Sequence, residues 1–188
     1  MIKIGITGSL ASGKTTASRI LSYRRGPLFS ADKVVKEFYL NKRFKFLIAK
    51  QFKIKNKNQI KKSLKKLILE NKKNINKLEK IIHPLVRKKM KSFTSNNKSK
   101  RLLFYEIPLL IESKLMNYFD VIIFIKARKK FRLKRFFSKT GDKKLFNILN
   151  NKQIVDVKKI KFCHHVVVNE KNLSILKKNL FAIISKYE

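Results

Sequence analysis

The chain is predicted to be an α/β protein: a largely parallel sheet with helices on both faces, interrupted by a helical insertion. Three observations predict it. Short apolar strands alternate with stretches of helical periodicity. A glycine-bearing turn joins the first strand to the first helix, and residues 42–97 keep helical spacing with no glycine and no strong strand. At 188 residues the chain fits one domain carrying that insertion and a lid near residues 138–152.

The elements follow in order. Residues 3–7 alternate as a strand, residues 8–13 break the pattern, and residues 15–23 read as a helix with Ala17, Ile20 and Leu21 inward. Gly26-Pro27 marks a turn before a strand at 28–31, and a helix runs from Asp32 through Val34, Val35 and Phe38. In the insertion, Leu64, Leu67 and Ile68, then Leu78, Ile81 and Ile82, recur at helical spacing, and a polar linker at 94–100 closes it. A strand at 101–107 leads to Pro108 and a short helix. Next come a strand at 120–126, a helix at 128–137, a polar break at Gly141 and two helical segments within 143–162. A strand at 166–168 and an amphipathic helix at 173–187 complete the chain. Right-handed crossovers bring the carboxyl ends of parallel strands to one edge, where ligands bind.

Composition narrows the classes. Hydrophobic residues make up 44% of the chain, enough for an ordinary core. No apolar run approaches the ~18 residues of a membrane span, and the N-terminus is a poor signal peptide, so a cytoplasmic protein away from membranes is expected. Cys163 is the one cysteine, which excludes an internal disulfide or a multi-cysteine metal site. The net charge of +37 invites a nucleic-acid reading. The lysines, however, are spread along the chain together with Asn, Ile and Phe, the composition that AT-rich codons produce. No dedicated nucleic-acid partner is therefore expected. The basic surface suits phosphate-bearing small molecules.

The turn after the first strand reads Gly8-Ser9-Leu10-Ala11-Ser12-Gly13-Lys14-Thr15, a match to G-x-x-x-x-G-K-[ST] between a strand and a helix. Backbone N–H groups of such a loop converge on phosphate oxygens. Lys14 would reach the β- and γ-phosphates of ATP, the Thr15 hydroxyl would ligate Mg2+, and Thr16 would donate to the α-phosphate. The sheet is thus expected to be of the P-loop nucleoside triphosphate hydrolase-like type.

Phosphoryl transfer to a hydroxyl calls for a carboxylate at the ligand edge. Of eleven acidic residues, Asp32 directly follows the second strand and Glu106 ends the third. Asp120 begins its strand, at the wrong edge, and Glu70, Glu79, Asp156, Glu170 and Glu188 fall on helix surfaces or past the last strand. Asp32 is the expected base, though it could also cap the next helix. Glu106 is the expected helper near magnesium, or else pairs with a lysine. His83, on these grounds alone, reads as a core histidine, and His164 and His165 carry no metal-site spacing.

Longer segments add to this. They are Ile4-Gly5-Ile6-Thr7-Gly8 into Ser12-Gly13-Lys14-Thr15-Thr16; Ser30-Ala31-Asp32-Lys33-Val34; Leu78-Glu79-Lys80-Ile81-Ile82-His83-Pro84-Leu85-Val86-Arg87; Ile107-Pro108-Leu109-Leu110-Ile111-Glu112; Arg132-Leu133-Lys134-Arg135; and Gln153. With these pieces the chain resembles dephospho-coenzyme A kinases from end to end. The resemblance implies transfer of the ATP γ-phosphate to the 3′-hydroxyl of dephospho-CoA ribose, the last step of coenzyme A synthesis, by a monomer. It implies that Asp32 is the general base, that the loop (Gly8, Ala11, Ser12, Gly13, Lys14, Thr15, Thr16) and Arg135 bind ATP, and that His83, Arg87, Glu106, Pro108 and Leu109, with Asp32, contact the acceptor. Ser30 and Glu106 depart from the aspartates usual there, Ser9 and Ala11 from loop glycines, and Lys139, Lys143 and Lys144 from an arginine-rich lid. Another small-molecule kinase keeps the loop but leaves His83-Pro84-Leu85-Val86 unexplained; a basic nucleic-acid-binding ATPase would explain only the charge.

Overall fold

A computed structural model describes residues 1–56, 59–71 and 73–188. The expected insertion, 42–97, contains positions 57, 58 and 72, which lie outside those residues. The chain divides into two compact units, Met1–Ala31 with Ser92–Glu188, and Asp32–Lys91.

The first unit is built on five parallel strands: β1 (Ile2–Gly8), β2 (Leu28–Ser30), β3 (Leu102–Glu106), β4 (Val121–Lys126) and β5 (His165–Val168), in the order β2-β3-β1-β4-β5. The expected parallel sheet is what forms. Strand β1 lies at its centre, with Ile4 opposite Phe104 on one side and Val121 on the other. Every residue of β1 from Ile4 onward is buried, as in a sheet covered on both faces. Ile4, Ile6, Phe104, Ile123 and Val167 pack with Ala17 and Leu21 of α1 (Lys14–Ser22) and with Leu176, Leu180 and Ile184 of α9 (Leu173–Ile184). At the amino end of β4, the Asp120 carboxylate accepts from Lys3 N–H at 2.7 Å, away from the strands' carboxyl edge.

Helices α6 (Lys129–Thr140), α7 (Lys143–Lys152) and α8 (Asp156–Ile160) follow β4. Gly141, at φ 65°, ends α6, and the Asp142 side chain caps α7 by accepting from Leu145 N–H at 2.8 Å.

In the second unit, α2 (Ala31–Phe38, whose first residue belongs to the first unit), α3 (Lys42–Gln51), α4 (Ile60–Glu70) and most of α5 (Lys73–Asn96) enclose a core of Phe44, Ile48, Ala49, Phe52, Ile60 and Leu64. Leu78, Ile81, Ile82 and Leu85 of α5 pack against it. Pro84 sits inside α5 and removes one helical N–H donor.

Two expectations need correction. The polar linker at 94–100 begins as helix, since α5 continues to Asn96 and Asn97 still donates its side-chain amide to Phe93 O at 2.8 Å. Pro108 is not followed by a helix: residues 108–114 form turns that hold Leu110 and Ile111 in the core, and Lys114 bends the chain at φ 54° before a single 3-10 turn at Met116–Tyr118. Burying those two leucine-type side chains outweighed the helical spacing.

Candidate active site

The loop between β1 and α1 owes its shape to two glycines. Gly13 has φ 97° and lies so close to Asn169 that a Cβ there would stand 2.1 Å from Nδ2. A Cβ on Gly8, at φ 150°, would stand 2.3 Å from Ile125 O. Neither position accepts a side chain. The buried Lys14 lies along the loop, its Nζ donating to Gly8 O at 3.1 Å and Ser9 O at 2.9 Å. Ser12 is buried, Ala11 half-buried, and Thr15 and Thr16 are exposed in the first turn of α1.

Behind Thr15 lies Glu106, 1% exposed at the carboxyl end of β3. One of its oxygens accepts from the Thr15 hydroxyl and the other from the Ser30 hydroxyl, at 2.9 Å. The start of α1 and the ends of β2 and β3 thus meet on one carboxylate. Two hydroxyls bond this carboxylate, where the sequence had left lysine pairing open. Thr7 at the end of β1 donates to Pro108 O at 3.3 Å, and Leu109 O accepts from Ser113 N–H at 2.9 Å.

The far side of the loop meets the two arginines of α6. Arg135 donates to Ser12 O at 3.3 Å and to Asn169 O at 2.9 Å, while Asn169 Nδ2 donates to Ser12 O at 2.9 Å. Arg132 is buried and donates to Leu10 O at 3.4 Å and Asn150 Oδ1 at 2.7 Å. Burial pushes its guanidinium below its ordinary pKa, and the Asp156 carboxylate opposes that shift. Asp156 does not lie on an open helix surface as expected: it accepts from the Ser9 hydroxyl. Gln153 Oε1 accepts from Leu10 N–H at 2.9 Å. Sequence reasoning had no signal for Asn169, and placed Gln153 in a motif without assigning it a contact.

The other expected residues belong to the second unit. Asp32 is exposed and lies inside the first turn of α2 rather than before it, where the helix dipole favours a carboxylate. His83 is half-buried and Arg87 exposed, four residues apart on one face of α5. His164 Nδ1 accepts from Ile122 N–H at 3.0 Å and His165 bonds the Tyr187 hydroxyl at 2.6 Å, so both have structural partners.

A protein-family model described as dephospho-CoA kinase matches residues 2–174. The chain belongs to the dephospho-CoA kinase family. The activity carried by that membership is an ATP-dependent kinase acting on dephospho-CoA. A dephospho-CoA kinase from Bartonella quintana is 32% identical over 186 residues, covering 96% of this chain and 95% of the relative. Among solved structures, TT1252 from Thermus thermophilus has a TM-score of 0.79 at 24% identity, over 100% of this chain and 98% of that one. The dephospho-CoA kinase from Campylobacter jejuni has a TM-score of 0.68 at 23% identity, over 98% and 96%. At those identities the two structures speak for the fold, which is that of the P-loop kinases.

Proposed function

We propose that this dephospho-CoA kinase moves the ATP γ-phosphate to the ribose 3′-hydroxyl of dephospho-CoA through the residues described above. The loop amides from Gly8 to Thr16, with Ala11, Ser12 and Gly13, hold the β- and γ-phosphates, and Lys14 answers their charge. The pair formed by Thr15 and Glu106 fits Mg2+, which takes few protein oxygens and keeps water and phosphate as its other ligands: an exposed hydroxyl is backed by a buried carboxylate. When bound, Mg2+ neutralises charge on the phosphate oxygens and orients them for in-line transfer.

Asp32 accepts the proton of the attacking hydroxyl as its oxygen bonds to the γ-phosphorus and the bond to the β-phosphate oxygen breaks, leaving ADP and CoA. Its placement is supported by chain continuity. Ser30 is bonded to Glu106, and two residues of backbone span at most about 7 Å. That observation carries the reading, because a carboxylate two residues along the chain from Ser30 supports a base acting beside the magnesium pair. Arg135 would answer phosphoryl charge beside Ser12, and His83, Arg87, Pro108 and Leu109 would contact the acceptor. Residues 138–152 would close as a lid and exclude water, limiting futile hydrolysis. Both substrates are small anions, which the +37 charge attracts, and a cytoplasmic monomer is the state this reading implies.

The test is to incubate the full chain with Mg-ATP and a panel of hydroxyl acceptors. Dephospho-CoA is expected to release ADP far above the rate with water and to yield a 3′-phosphorylated product. ADP release no faster than with water alone would overturn the acceptor.

A further inference from the structure

The tip of the phosphate loop is gripped by groups that phosphoryl transfer itself does not use. Ser9 donates its hydroxyl to Asp156, and Leu10 donates its N–H to Gln153 at 2.9 Å. Leu10 O accepts from Arg132, which is tied to Asn150 at 2.7 Å and to Ala127 O at 3.0 Å. Asn150, Gln153 and Asp156 all stand on the stretch from the end of α7 into α8.

That stretch is itself pinned. Lys159, 0% exposed, pairs with Glu112 at 2.6 Å, and the same Glu112 oxygen accepts from Ile154 N–H at 3.3 Å. A buried lysine is retained only where its charge is answered, so positions 154 and 159 are both fixed to one carboxylate in the turns after β3. Next to Leu10, Ala11 holds φ 58°, a left-handed conformation that a residue other than glycine keeps only when its surroundings impose it.

We infer that residues 153–159 form a strut, pinned on the Glu112–Lys159 pair, that imposes the shape of the loop tip. Gln153 and Asp156 are then positioning residues for ATP, acting through Leu10 and Ser9. This rests on the nucleotide half of the proposed function and is indifferent to the acceptor. If dephospho-CoA proved not to be phosphorylated, ADP titration would still read the strut.

The experiment compares Gln153→Ala, Asp156→Ala and Asp156→Asn with Lys178→Ala, a change on the exposed face of α9. ADP affinity is measured by titration calorimetry on the full chain, alongside KM for ATP against kcat and Tm without nucleotide. Gln153→Ala is expected to weaken ADP binding and raise KM for ATP about threefold to tenfold, the worth of one lost hydrogen bond, with kcat within about twofold. The two Asp156 variants lose the same charge, so a difference between them reads the hydrogen bond alone. Asp156→Asn, whose amide oxygen still accepts from Ser9, should bind ADP at least about threefold more tightly than Asp156→Ala. Gln153→Ala binding ADP like Lys178→Ala, equal affinities for the Asp156 pair, or losses that simply follow Tm would each overturn the strut.

Discussion

In the first unit several groups around the loop are bonded to partners from distant parts of the chain: Glu106 to Thr15 and Ser30, Asn169 and Arg135 to Ser12, Gln153 to Leu10. In the second unit, Asp32 and Arg87 stand exposed on helix faces and His83 is half-buried. The donor side of a phosphoryl transfer gains from rigid dipoles set before the nucleotide arrives, because reorganising them would cost catalysis. His83 and Arg87, proposed to receive the acceptor, stand instead on a helical unit, where a large, flexible molecule can approach from solvent. Removing a group from the second unit should therefore change chemistry or acceptor affinity while leaving nucleotide binding alone.

The largest effect should come from Asp32→Asn. Losing a general base is expected to lower kcat by about 10²- to 10⁴-fold, with ADP affinity held within about threefold. Turnover near that of the unaltered chain would remove Asp32 from the chemistry and break the contrast. His83→Ala comes next: KM for dephospho-CoA should rise about fivefold to tenfold, with kcat and ADP affinity little changed. If steady-state kinetics instead showed a matching rise in KM for ATP, the division of labour between the units would be wrong.

The smallest effect concerns Cys163 in the first unit, whose thiol donates to Lys159 O at 3.3 Å. Burial pushes the Cys163 thiol up to about 11, with Lys159 partly opposing. In the unfolded chain the thiol ionises nearer its ordinary pKa of about 8.5. Between the two values the unfolded state binds fewer protons, so this contribution is complete below about pH 8.5 and falls as pH rises toward 11. Urea unfolding of the chain and of Cys163→Ala at pH 8 and pH 10 checks it: the variant should lose less stability over that interval. Equal losses would show that the thiol is not shielded in the fold.

Much of the donor site was legible because it is contiguous. A strand, eight loop residues and a helix start carry Lys14 and Thr15 together, and strand ends were enough to single out Asp32 and Glu106. Arg132 was harder, since helical spacing says which face a residue shares and not what covers that face. Asp156 was misread as a surface acid for the same reason. Its bond to Ser9 joins positions 147 apart, and the bonds from Gln153 and Asn169 to the loop span 143 and 157. The turns after Pro108 were missed because burial of Leu110 and Ile111 overrode local helical propensity.

By itself the sequence determined the phosphate loop, the alternation of strands and helices, the place of Asp32 after β2, and the basic surface. These depend on backbone geometry and on neighbours a few residues away, and both are written in the local order of side chains. Only the tertiary structure decided that Glu106 would be shared by Thr15 and Ser30, that Arg132 would be buried, and that Lys159 would meet Glu112. Such contacts close long loops whose entropic cost hardly depends on which residues meet. Packing around the sheet therefore selects the partners, and local sequence does not.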